Sequence, residues 1–367
     1  MMSSIFNYFV VVALAMTTSI SLAAPATKPA PATTAWHDVH ECGVEGKGFT
    51  DTESYFDRLP ARAEKVVPQP VWDLSRDSTG MAAQFETDSP SIWIRYSLLS
   101  ANLAMAHMPA TGVSGVDLYG KLDGQWRWVA VAKPSSKEVE TELTEGLKPG
   151  MREYVIYLPL YNGVTKMEIG VEKNAKFKPI APRSAKPIVY YGTSIAQGAC
   201  ASRPGMAFTN ILSRRLDRPF INLAFSGVGK MDAAVAKFVA EIDAAVYVID
   251  CLPNMTTEQV TERVKPLTDI LRKAHPETPI VFVEDRTFGN AEFHPKIQEQ
   301  HVHRRAALRR EYDTLTKSGV KNLYYIEGAA LLGSDGEATT DGSHPNDLGM
   351  MRYADVLEPR LREMLAK

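Results

Sequence analysis

The chain's 367 residues, 45% hydrophobic and 23% charged, are enough to bury two cores and so to form two domains. A formal net charge of −2, with the basic residues scattered, gives no sign of a surface built for nucleic acid or for an anionic membrane. The cysteines, Cys42, Cys200 and Cys251, are odd in number, so at least one thiol stays unpaired whatever the redox compartment.

From Ile5 to Leu22 the chain is mostly apolar or small, and Ser21-Leu22-Ala23 offers small residues at −3 and −1. A signal peptide over residues 1–23, cut after Ala23, is the expectation, because a cut after Ala24 would leave Pro25 next to the break. The segment has no Lys or Arg before its apolar run, so an uncleaved anchor is the alternative. Nothing further along is long and apolar enough to span a bilayer, so a periplasmic or secreted protein is expected. Residues 24–35, rich in Pro and Ala, read as an extended linker.

Residues 36–180 alternate short β-type runs with turn signals. Examples are Ser91–Leu98, Gly115–Tyr119, Trp126–Ala130, Arg152–Leu158 and Lys166–Val171, with Asp123-Gly124 at a hairpin turn. A β-sandwich closes such a segment. Trp126 and Trp128 share one face of their strand. They and Trp93 could stack on sugars, but packing in the core is the preferred role.

From residue 181 to 367 strands alternate with helices. The strand candidates are Ile188–Tyr191, Phe220–Ala224, Ala244–Cys251, Pro279–Glu284 and Asn322–Ile326. Helical patterns cover Thr257–Ala274, Pro295–Lys317 and Asp347–Leu365. This grammar implies a parallel sheet covered on both faces.

Four of those strands end beside a residue suited to chemistry at one sheet edge, where open α/β sheets keep their ligands. Ser194 follows the first strand and opens a helix, which exposes a hydroxyl beside free amides, although it could be a plain N-cap. Gly227 lets the backbone of the second turn approach an oxyanion, or simply serves a turn that needs positive φ. Asn254 can donate an amide hydrogen to the same oxyanion, or act as a turn residue. His344, with Asp341 three positions earlier, supplies an oriented imidazole, or a loop histidine beside a turn. Cys200 and Cys251 could approach each other or lie separately buried. His301 and His303 point to different faces of one helix and cannot chelate a metal together. His275 and His294 read as loop residues.

Taken in order, Gly192-Thr193-Ser194, Gly227, Asn254 and Asp341-Gly342-Ser343-His344 resemble the sequence blocks of the SGNH (GDSL-type) hydrolase superfamily. Gly115-Val116-Asp117-Leu118-Tyr119 resembles the Gly-x-Asp-Leu-Tyr signature of the branch with an N-terminal β-rich domain. The resemblance implies a three-layer α/β/α (flavodoxin-like) domain preceded by an all-β, jelly-roll-like sandwich. It also implies Ser194 as nucleophile, His344 as base oriented by Asp341, and Ser194 N–H, Gly227 N–H and the Asn254 side chain as oxyanion donors. Thr193 stands where the usual motif has Asp, and Leu252 where a Gly usually opens the third block.

The expected function is an esterase acting on carboxylic esters, above all O-acetylated carbohydrates. The expected partner is a small-molecule or oligosaccharide ester; no cofactor or metal is called for, nor a membrane once the signal is removed. A short-chain lipid or thioester hydrolase is the alternative within enzymes, and a non-catalytic glycan-binding protein the alternative outside them.

Overall fold

The computed structural model describes residues 29–366, so the expected signal peptide and the start of the expected linker lie outside the described residues. The linker is shorter than expected. Thr34 and Ala35 already belong to β1 (Thr34–Asp38), whose partner strand fixes them. After α1 (Val39–Cys42) and α2 (Gln69–Ser75) come β2 (Ala82–Thr87), β3 (Ile92–Leu98), α3 (Ala110–Val113), β4 (Asp117–Leu122) and β5 (Gln125–Val131). The antiparallel part ends with β6 (Glu138–Thr144), β7 (Arg152–Tyr157), β8 (Val164–Glu172) and β9 (Phe177–Ile180).

These strands form two antiparallel sheets, ordered β1-β8-β3-β6 and β5-β4-β7-β2-β9. Alternation sends Ile92, Ile94 and Tyr96 of β3 against Phe85, Leu118 and Ile156 of the facing sheet, and this is the sandwich core. The β4–β5 turn is the expected one: Asp123 and Gly124 both have positive φ, 51° and 75°, which the twist of a two-residue hairpin requires. Trp93 is buried, but Trp128 is 50% exposed, against the expectation of core packing. Its strand is at the edge of its sheet, and its indole N–H is drawn to Asp117 Oδ1 at 2.9 Å.

The second half runs β10 (Ile188–Gly192), α4 (Ser194–Gln197), α5 (Phe208–Leu216), β11 (Phe220–Ala224), α6 (Ala233–Val239), β12 (Val246–Asp250) and α7 (Thr257–Ala274). It closes with β13 (Ile280–Val283), α8 (Pro295–Lys317), β14 (Leu323–Ile326) and α9 (Asp347–Leu365). All strand pairs are parallel, in the order β11-β10-β12-β13-β14. The direction of travel across the sheet reverses between β10 and β12, so their carboxyl ends flank the crevice where such sheets bind ligands. Period-two alternation splits the core in two. Val189, Tyr191, Tyr247 and Phe282 face the α6–α8 layer, whereas Tyr190, Val248 and Val283 face α5 and α9.

The layer on the α6–α8 side draws on residues read as part of the β-rich segment. Phe49, Leu59, Ala63, Val67, Val71 and Trp72 pack into it. Arg58, 2% exposed, donates to the carbonyls of Asn222 (3.2 Å) and Ala224 (2.7 Å), satisfying acceptors on the edge strand β11. Among the described residues no helix is long and apolar enough to cross a membrane.

Candidate active site

β10 ends at Gly192, and Thr193 caps the single turn that follows, its Oγ1 accepting from Ile195 N–H at 3.4 Å. The hydroxyl thus supplies a local bond where the usual motif has a carboxylate. Ser194 is the first residue of that turn, so its N–H has no partner one turn earlier and stays available. Its carbonyl accepts from the Tyr161 hydroxyl at 3.1 Å, which ties the turn to the loop after β7.

Ser194 Oγ lies 2.9 Å from His344 Nε2, and His344 Nδ1 lies 2.7 Å from Asp341 Oδ2. Asp341 can only accept, so Nδ1 carries the proton and Nε2 presents its lone pair to the serine hydroxyl. Burial pushes the Asp341 carboxyl up, but hydrogen bonds from His344 N–H, the His344 ring and Ser343 N–H outweigh it and hold it at about 2. Asp341 is therefore ionised at any pH where an imidazole can act as base.

The loop carrying this pair is anchored from behind. Gly289 N–H donates to Gly342 O at 2.8 Å, and Arg286 Nε donates to Ser343 O at 3.2 Å and its Nη2 to Ser343 Oγ. Arg286 is itself paired with Asp285, which also meets His301 Nδ1 (2.9 Å) and Arg304 (3.2 Å). Burial pushes the Asp285 carboxyl up, yet the Arg286 and Arg304 guanidinium groups and the His301 hydrogen bond hold it at about 2. Sequence reading missed Arg286. The signal was there: β13 is the one strand without a candidate at its end, and Glu284-Asp285-Arg286 is an unusual charged run straight after four apolar residues.

Gly227 has φ +72°, so the turn after β11 does need a residue free of a Cβ. Its amide does not stand open as expected. With the Asn254 oxygen turned toward this loop, Gly227 N–H and Val228 N–H donate to it at 3.2 and 3.3 Å. The opposite orientation would set donors against donors. Gly227 therefore orients Asn254, and the Asn254 NH2 group is left to serve a ligand. Gln197, at the end of α4, holds the same loop. Its oxygen accepts from Ser226 N–H and its nitrogen donates to Asp77, both at 2.9 Å.

Of the other candidates, all three cysteines are buried and free, so Cys200 and Cys251 are not bonded. His275 Nε2 donates to Ala240 O (2.8 Å) after α7, and His294 precedes Pro295 at the start of α8. A hydroxyl, an imidazole and a carboxylate in line, beside unpaired amides at a sheet edge, are the parts of a nucleophilic acyl-transfer site.

The GDSL-like Lipase/Acylhydrolase family matches residues 185–362, and the family described as the N-terminus of Esterase_SGNH_hydro-type matches residues 34–177. A solved GDSL-like protein from Bacteroides ovatus is 35% identical, with a TM-score of 0.87 over 91% of this chain and 98% of its own. The chain therefore belongs to the SGNH (GDSL-like) hydrolases with a Gly-x-Asp-Leu-Tyr N-terminal domain. Two more distant structures share the fold. The salicylyl-acyltransferase SsfX3 of a tetracycline biosynthetic pathway is 17% identical, with a TM-score of 0.67 over 92% of this chain and 96% of its own. A family two carbohydrate esterase from Cellvibrio japonicus is 11% identical, with a TM-score of 0.60 over 91% and 98%. No curated relative matches the chain.

Proposed function

We propose that this chain is an exported serine esterase that removes O-acetyl groups from carbohydrates through an acyl-enzyme on Ser194. The observation that carries the reading is the unbroken line from Ser194 Oγ to His344 Nε2 (2.9 Å) and from His344 Nδ1 to Asp341 Oδ2 (2.7 Å). In that line His344 takes the hydroxyl proton as Oγ attacks the ester carbonyl, and Asp341 stabilises the imidazolium that forms. Negative charge develops on the carbonyl oxygen, where Ser194 N–H and the Asn254 NH2 group are placed to receive it, with Gly227 holding the amide in orientation. His344 then returns the proton to the departing alkoxide. In the second half it draws a proton from the water that attacks the acyl carbonyl and passes it to Ser194 Oγ as the acyl–oxygen bond breaks, which releases the acid and regenerates the serine.

Three features support a carbohydrate ester. The His344 and Asp341 side chains are 26% and 41% exposed, so the reacting groups open at the surface and suit an ester carried on a bulky molecule. The Cellvibrio relative in fold is a carbohydrate esterase. The apolar N-terminal segment with its small-residue cut site suits a protein that meets such material outside the cytoplasm.

The test is release of p-nitrophenol from p-nitrophenyl acetate by the wild type and Ser194→Ala, followed by acetate release across acetylated polysaccharides. Ser194-dependent activity that rises with acyl length, and no acetate from any sugar ester, would replace the carbohydrate reading with a lipid or thioester hydrolase.

A further inference from the structure

Between β3 and α3 the β-rich part of the chain sends a loop across to the Ser194 site. At its tip Met105 and Met108 exchange both backbone hydrogen bonds (3.0 and 3.1 Å), leaving Ala106 and His107 as the two central residues of a hairpin turn. Met108 is buried, 2% exposed, in the core layer that also holds Ile195 and Ala199, so the tip is pinned to the element carrying Ser194. His107 is exposed, and its ring centroid stands 5.9 Å from that of His344, the planes tilted by 32°. Both His344 nitrogens are already engaged, by Ser194 and Asp341. Among the described residues neither nitrogen of His107 has a hydrogen-bond partner, so the ring presents a donor and an acceptor to whatever occupies the mouth.

We propose that His107 is a specificity-determining residue that hydrogen-bonds a hydroxyl of the alcohol half of the substrate. The side on which it stands decides which half. His344 must protonate the leaving alkoxide, so the alcohol departs past the imidazole, whereas the carbonyl oxygen points away from it to Asn254. A group flanking His344 therefore meets the alcohol and not the acyl chain. One neutral imidazole offers one donor and one acceptor, which matches a sugar hydroxyl and gives nothing to a hydrocarbon. Through this turn the β-rich part supplies one wall of the site.

The proposal rests on the esterase reading above, and the experiment separates the two. The wild type, His107→Ala and His107→Asn are assayed on two acetates that differ only in the alcohol, p-nitrophenyl acetate and an acetylated xylo-oligosaccharide. His107→Ala should lose roughly tenfold in kcat/KM on the sugar acetate, mostly through KM, because a ground-state hydrogen bond is lost. It should stay within about twofold on p-nitrophenyl acetate, which has no hydroxyl to bind. His107→Asn, which keeps a donor and an acceptor, should recover part of the loss. An equal loss on both esters, or none on either, overturns the proposal while leaving the esterase intact. A wild type that cleaves p-nitrophenyl acetate through Ser194 yet releases no acetate from the sugar overturns both the carbohydrate reading and this role.

Discussion

Asp117 of the Gly-x-Asp-Leu-Tyr run accepts from Arg203 Nη1 at 2.7 Å, and the same carboxylate oxygen accepts from Gly205 N–H at 2.8 Å. The pair joins the β sandwich to the α/β domain. Tyr119 adds its hydroxyl to Arg203 (2.6 Å) and its ring to the Arg214 guanidinium, 4.1 Å above. The segment so gripped follows the Ser194 turn. Its Ser202 bonds both oxygens of Asp347 (2.9 and 2.6 Å), three residues after His344. The signature is thus a clamp whose far end steadies both the serine and the histidine loops.

Removing Asp117 should show that clamp at work. The carboxylate is fully buried, so Asp117→Ala leaves Arg203 without its charged partner and should cost about 3 kcal/mol or more. Differential scanning calorimetry should show a lower Tm together with reduced esterase activity. Unfolding in two separated steps would mean the domains have come apart; an unchanged Tm would mean the clamp carries no stability.

Ser194→Ala should abolish ester hydrolysis, by a factor on the order of 10⁴ or more, without lowering Tm. His344→Ala should lose about as much, and the double variant little more, because the two act as a unit. Asp341, held at about 2, stays ionised across the neutral range, so its hold on the imidazole should not change there. Additive losses in the double variant would dissolve the unit.

Asn254→Ala should lower kcat by roughly 10²–10³-fold with a smaller change in KM, because the charge it meets develops only in the transition state. Asn254→Asp should be at least as damaging, since a carboxylate would repel the oxyanion. A turn residue would tolerate Asp nearly as well as Asn. A near-wild-type Asn254→Asp enzyme would falsify the oxyanion role.

Asp250 makes stability depend on pH. At the end of β12 it is wholly buried, one oxygen accepting from the Tyr190 hydroxyl at 2.8 Å and the other without a partner among the described residues. Burial pushes its carboxyl up to about 7, with the Tyr190 bond opposing and Asp285 adding to the rise. In the unfolded chain the value is about 3.9. Between the two the folded protein holds the extra proton, so this contribution is full below about pH 4 and is lost as pH climbs through 7. Asp250→Asn keeps an acceptor for Tyr190 and has no charge to bury. In urea titrations it should match the wild type near pH 4 and exceed it by at least about 1 kcal/mol at pH 8. A variant less stable than the wild type at pH 8 would show that the carboxylate is stabilising there.

Features under short-range control are legible in the chain's local patterning. Four apolar residues ending in Gly-Thr-Ser make a buried strand and a capped turn, and Asp341-Gly342-Ser343-His344 closes a carboxylate onto an imidazole within one loop. Asp123-Gly124 sets its hairpin for the same local reason. Features that depend on partners far along the chain were settled by tertiary contacts. Residues 49–72 look like irregular sandwich sequence, yet the open side of the parallel sheet needed apolar cover and they supplied it. Trp128 looks like a core aromatic, but an edge strand left it half exposed and Asp117 took its N–H. Gly227 N–H turned to Asn254 because that amide oxygen lay within reach. His107 carries no local signal at all. It came to stand beside His344 because a buried methionine 236 positions before His344 fixes its turn, and alternation and spacing within a segment hold no information about a contact across that length of chain.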